Sequence, residues 1–185
     1  MQNFKQSRKV GVAGGFINQM MGNNKTYPIV GQGATELMYS DRNAWEVIDT
    51  SEDHSRCTIQ AYDPERIDKQ GMSESQTYKY EKLTEEKRNL VWRSKKGGCW
   101  CVHTKEVRII PKIRKELEQL NYWSYEAMIV KYGKDVADHV FRKDDKDGTY
   151  YDGLRLVDGI TKVYDNYTPI SIIFGIKEKY YDFSF

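Results

Sequence analysis

An α+β fold is predicted: a small antiparallel β-barrel of the SH3-like kind, or a curled sheet, with a helical insertion before its last strand. Three observations predict it. From residue 29 to about 104, short segments rich in β-branched and aromatic residues recur between turn-formers. Beyond Pro111 the apolar period lengthens to that of a helix. The run Ile170-Ser171-Ile172-Ile173-Phe174-Gly175-Ile176 then reads as a strand again.

Residues 1–28 read as a basic, flexible N-terminal arm. Lys5, Arg8, Lys9 and Lys25 stand there without an acidic residue, and flanking glycines weaken the helical spacing of Phe16, Ile17, Met20 and Met21. The β-barrel core comprises 29–104 and 168–185. Its strands are expected around Leu37–Tyr39, Trp45–Ile48, Cys57–Tyr62, Thr77–Tyr80, Leu90–Arg93 and Trp100–Val102. Ser40-Asp41, Asp53, Asp63-Pro64, Lys69-Gln70-Gly71 and Gly97-Gly98 supply the turns. Gly31 and Gly33 precede a strand, and neither a Gly-Lys-Ser/Thr ending nor a third glycine opening a helix follows, so they form no phosphate loop.

The insertion spans 105–167 and is mainly helical. Pro111 suits the first turn of a helix over Lys112–Leu120, whose Ile113, Leu117 and Leu120 share a face. Ser124 caps a second helix, Tyr125–Tyr132, which Gly133 stops. Asp135–Phe141 adds a third, and Asp147-Gly148 a hairpin turn. The aromatic tail Tyr180–Phe185 is expected to pack back on the barrel, because so much apolar surface is costly in water.

A chain of 185 residues suffices for one well-packed domain with an appended subdomain. A net charge of +2 excludes both an acidic DNA mimic and a histone-like binder. Three cysteines, an odd number without a secretory start, imply reduced thiols and a cytoplasmic location in the host cell. No window approaches the roughly 20 apolar residues that span a bilayer, so no membrane association is expected.

Several motifs carry candidate chemistry. In Ser40-Asp41-Arg42, Asp41 closes a turn and could present Arg42 outward as a fork for phosphate or carboxylate. Arg66 has the same two readings among its flanking acids. Cys99, Cys101 and His103 alternate along one strand, with His54 and Cys57 elsewhere, but no second ligand pair in a knuckle turn accompanies them, so no metal or other cofactor is expected. Asp144–Gly148 fails as a calcium loop, since Lys143 and Leu154 occupy the first and twelfth ligand positions. The strongest candidate is a basic-aromatic band: Lys87, Arg88, Arg93, Lys95, Lys96, Lys105 and Arg108, opposed by Glu106 alone, with Trp92 and Trp100 interleaved. Cations that track a backbone beside rings that stack on bases suit nucleic-acid recognition.

Three blocks carry a family resemblance: Val30-Gly31-Gln32-Gly33-Ala34-Thr35 through Tyr39-Ser40-Asp41-Arg42, Gly71-Met72-Ser73-Glu74-Ser75-Gln76-Thr77-Tyr78, and the ending Tyr180-Tyr181-Asp182-Phe183-Ser184-Phe185. Over 29–100 and 168–185 the chain resembles a family of small proteins carried by bacteriophages and other mobile elements of Gram-positive bacteria. The resemblance implies a β-rich accessory protein of a mobile element, for which a non-enzymatic binding role is the favoured reading. It makes inhibition of host defence plausible, in its sharpest version an anti-CRISPR protein that binds an effector nuclease loaded with guide RNA, or nucleic acid itself. Such a protein would use the basic arm, Arg42, Arg66, Trp92, the Lys87–Arg108 cations and the helical insertion. Two alternatives stand beside it: a metal-assisted nuclease using His54, Cys99, Cys101 and His103, and a structural or morphogenesis protein of a phage particle.

Overall fold

The computed structural model describes residues 27–72, 75–96, 98–120, 124–143 and 151–182. The basic arm, apart from Tyr27 and Pro28, lies outside the described residues. So do the turn at Asp147-Gly148 and the last three residues of the tail. The chain divides into two compact units, Met1–Thr104 with Tyr167–Phe185, and Lys105–Asn166.

Seven strands form one antiparallel sheet: β1 (Gly33–Leu37), β2 (Arg42–Thr50), β3 (Arg56–Arg66), β4 (Tyr78–Arg93), β5 (Cys99–Ile109), β8 (Thr161–Ile170) and β9 (Ile172–Phe174). Their order is β8-β5-β4-β3-β2-β1-β9. The two outermost strands are thus consecutive in the chain, separated by Ser171 alone. A flat sheet of this width cannot bring its edges within one residue of each other, so the sheet is curled. Ser171 marks the corner, and its carbonyl accepts the Leu37 N–H at 2.8 Å. Curling shelters edges that would otherwise invite pairing with other chains.

Two expected strands, Thr77–Tyr80 and Leu90–Arg93, prove to be the ends of one long strand, β4. Its middle, Glu81–Asn89, is polar because much of it is exposed on both faces, and pairing with β3 holds it extended. Asp63-Pro64, read as a turn, lies inside β3 where the β3–β4 register shifts between Asp63 and Glu65. Proline is tolerated there because an irregularity spares a ladder hydrogen bond. The expected single last strand is two segments, β8 and β9, and β8 begins at Thr161 rather than at residue 170.

The core of the first unit gathers Trp45, Val47, Ile59, Leu90, Trp100, Ile172 and Phe174 from the inner face. The Trp100 ring meets Trp92 edge-on at 5.6 Å and Phe174 at 5.2 Å. Each such pair adds about 0.5–1.5 kcal/mol beyond the burial itself.

After β9 the chain continues as an irregular strap, 175–182, across β1 and β2. Gly33 permits the crossing: a Cβ there would lie 2.6 Å from the Lys177 Cβ and 2.9 Å from its backbone nitrogen. Thr35, fully buried, donates through Oγ1 to the Ile176 carbonyl at 2.8 Å and accepts the Glu178 N–H at 3.1 Å.

The second unit holds three helices, α1 (Pro111–Glu118), α2 (Ser124–Tyr132) and α3 (Lys134–Val140), and a hairpin of β6 (Phe141–Lys143) with β7 (Tyr151–Leu154). It is not a purely helical insertion. Leu117, Ala127, Met128, Ala137, Val140 and Phe141 make its core. Gly133, at φ 90°, turns the chain between α2 and α3, a conformation unfavourable for any side chain. The Tyr125 hydroxyl donates to Asp138 at 2.6 Å and ties α2 to α3.

Candidate nucleic-acid interface

The three sequence blocks meet in space around the strap. Arg42 is buried, its guanidinium bonded to Glu178 and lying 5.0 Å from the Tyr180 ring centroid. The backbones of Arg42 and Tyr180 exchange both hydrogen bonds, at 2.9 and 3.1 Å. Asp41 accepts the Asp182 N–H at 2.7 Å, and Gln76 bonds the Tyr181 backbone through both ends of its amide. The expectation that Asp41 presents Arg42 outward is therefore corrected. Arg42 turns inward, its charge met by the part-exposed Glu178 carboxylate. Arg66 is likewise engaged: Nε and Nη2 donate to Asp68 at 2.8 and 2.9 Å. That fork, with N–H donors from Thr77 and Gln70, holds the Asp68 carboxyl well below the usual range.

Within the first unit, the described cations and tryptophans of the band on β4 lie on both sides of the strand. Strand alternation places Arg88, Leu90 and Trp92 on one side of β4, and Lys87 and Arg93 on the other. Leu90 is core, Trp92 packs against that core, and Trp100 is buried. Arg88 spans Glu36 at 3.0 Å and Glu86 at 2.8 Å, and lies 4.5 Å from the Trp45 ring. Arg93 sits 4.1 Å from the Tyr167 ring centroid, and His103 stacks on the same ring at 4.9 Å, 12° from parallel. Lys87 and Lys95 are exposed, and Lys96 closes the 3-10 turn Ser94–Lys96.

Cys99 and Cys101 are fully buried, their Sγ atoms 3.6 Å apart. Among the described residues no group of three or more His, Cys, Asp or Glu side chains is placed to hold a metal ion. Burial pushes the third thiol, Cys57, up to about 12, with Asp49 adding to the shift. At the β2–β3 turn, Asp53 accepts from the Ser51 hydroxyl, and from both the amide and the hydroxyl of Ser55. These bonds lower its carboxyl to about 2. His54 beside it adopts φ 55° and bonds the Pro28 carbonyl through Nδ1 at 2.9 Å. No helix is long and apolar enough to cross a membrane among the described residues.

The remaining two members of the band, Lys105 and Arg108, belong to the second unit. There they line a cleft of about 890 Å³ together with Arg114 and Lys115 of α1 and Arg142 of β6. Five cations and two carboxylates, Glu106 and Glu118, are among its lining residues, a surplus of three positive charges. Each carboxylate holds one arginine: Glu106 accepts from Arg108 Nε and Nη2 at 3.0 and 2.6 Å, and Glu118 from Arg114 Nε at 2.8 Å. Lys105, Lys115 and Arg142 are exposed. Val107, Ile109 and Leu154, with the core residue Leu117 behind them, add apolar lining, and Tyr164 of β8 adds an aromatic one. Concavity, positive potential and an apolar lining suit an anion with a flat apolar body.

Arg114, Lys115, Arg142 and Tyr164 escaped sequence reasoning. For Arg114 and Lys115 a signal existed, since the basic run continues past Arg108 through Lys112. Arg142 and Tyr164 had none; only the hairpin and β8 bring them to the cleft. Comparison of the chain with protein-family models, with curated proteins and with solved structures finds no match.

Proposed function

We propose that this protein is a non-enzymatic accessory protein of a mobile element that binds nucleic acid or a nucleoprotein in the host cell. In this reading the first unit is a small barrel of the SH3-like kind, and the ligand-binding surface lies on the second. The observation that supports it is the cleft, where three exposed cations stand beyond those held by carboxylates. Its sharpest form is an inhibitor of a guide-RNA-loaded CRISPR effector nuclease, acting by occlusion of the guide or of the channel that receives target DNA.

The test is salt-dependent binding to labelled oligonucleotides and to guide RNA. Neutralising about three phosphates of a single strand gives a log–log salt slope near −2, because each contact releases counterions. Lys105→Glu, Lys115→Glu and Arg142→Glu together should remove binding and its salt dependence with little loss of stability, since exposed charges contribute little to folding. The triple reversal of Arg93, Lys95 and Lys96 in the first unit should weaken binding less. Wild-type affinity in the cleft variant, at low and physiological salt alike, would place the ligand elsewhere.

A further inference from the structure

We infer that the cleft of the second unit seats one or two unstacked nucleotides of a single strand, and so discriminates single-stranded nucleic acid from duplex. The inference rests on the nucleic-acid reading above and specifies which form of nucleic acid the cleft accepts.

Size is the first argument. At about 890 Å³ the half-open cleft has the volume of sites that hold a compact ligand. A duplex keeps its bases stacked inside and offers a protein surface phosphates and groove edges. It would engage the rim lysines while leaving the concavity empty. The second argument is the lining. Val107, Ile109 and Leu154 are each half-buried among the lining residues, and so is Tyr164. Phosphates gain nothing from an apolar lining, whereas an unstacked base covers it with a π-face and stacks on a ring. The third argument is how the arginines are held. Glu106 grips Arg108 through Nε and Nη2, so the remaining nitrogen, Nη1, is left to donate to a phosphate. Glu118 holds Arg114 through Nε alone, leaving both terminal nitrogens for the same use. Both pairs are exposed, so these nitrogens stay within reach of a ligand from solvent. Cations and apolar side chains lining one cleft match the two ends of a nucleotide.

The experiment uses the full chain and fluorescence anisotropy with a short pyrimidine oligonucleotide, the same strand annealed to its complement, and free UMP as competitor. The single strand should bind roughly tenfold or more tightly than the duplex, the worth of about one stacked base. Tyr164→Ala should cost the single strand about tenfold and leave weak duplex binding unchanged, while Tyr164→Phe, which keeps the ring, should restore affinity. Should Tyr164→Ala misfold, photo-crosslinking of a bromouracil-substituted strand to wild-type protein reads the same contact. The crosslink should map to the peptide containing Tyr164. Equal affinity for strand and duplex, or a crosslink confined to the first unit, would overturn the inference while leaving nucleic-acid binding intact. UMP competing as well as the oligonucleotide would also overturn it, and would make the cleft a small-ligand site. Absence of binding to either nucleic acid would defeat the parent reading together with it.

Discussion

Thr35→Val removes one oxygen atom and almost nothing else. Thr35 lies in β1 between β2 and β9, paired with Ala44 and Ile173, and is fully buried. Valine has nearly the same shape and suits a strand at least as well. The hydroxyl, however, makes the two bonds that seat the strap, to the Ile176 carbonyl at 2.8 Å and from the Glu178 amide at 3.1 Å. With valine in place, a carbonyl and an amide face a methyl group where water has poor access. Each unsatisfied group costs about 1–3 kcal/mol. The strap can relax toward solvent and recover part of this, which puts the expected loss near 3 kcal/mol. For a protein of this size that is a fall in Tm of roughly 6–12 °C. Thr35→Ser is the control: it keeps both bonds, loses a buried methyl, and should cost only about 1 kcal/mol. Urea unfolding followed by the fluorescence of the buried Trp45 and Trp100 measures both variants, and hydrogen exchange at the Glu178 amide reports the strap directly. A valine variant as stable as the serine variant, with the Glu178 amide still protected, would refute the account of how the strap is held.

Two further perturbations address the same unit. Deleting residues 180–185 removes the Arg42–Tyr180 backbone pair, the Asp182 bond to Asp41 and the Tyr181 contacts of Gln76; the truncated chain should melt several degrees lower, and an unchanged Tm would show that the tail contributes nothing to packing. Asp53, its carboxyl lowered to about 2 by serine donors, binds protons less readily folded than unfolded. Its contribution is therefore present above the ordinary carboxylate value near 4 and lost as pH falls toward 2. Asp53→Asn should reduce the loss of stability across that window, and an unaltered acid limb in denaturant titrations would argue against the turn's role.

Within the chain, legibility followed locality. The helix Pro111–Glu118 could be read because its proline start and its Ile113–Leu117 spacing are properties of neighbouring residues. Gly133 as the stop of Ser124–Tyr132 is equally local. The strand centred on Glu81–Asn89 could not be read, since exposure on both faces erases the alternation that betrays a strand. The basic-aromatic band is split between strand faces for the complementary reason. Adjacent letters in a strand point to opposite faces, so Arg88 went to Glu36 and Trp45 while Lys87 stayed exposed. Its last two members kept company with cations on a helix and a hairpin instead.

By itself the amino-acid sequence determined the α+β class, the change of period beyond Pro111, and the charge and cysteine count that bound what the chain can bind. These follow from side-chain chemistry and spacings of a few residues. Only the tertiary structure decided that the two edges of the sheet meet at Ser171 and that Arg42 faces Glu178. It alone seated the strap on the Thr35 hydroxyl and assembled a cationic cleft from Lys105, Arg108, Arg114, Lys115 and Arg142. Those outcomes depend on partners up to 143 residues apart. No local pattern encodes such a pairing, because it is selected by the packing of the whole sheet and by which charges find counter-charges once water has been excluded.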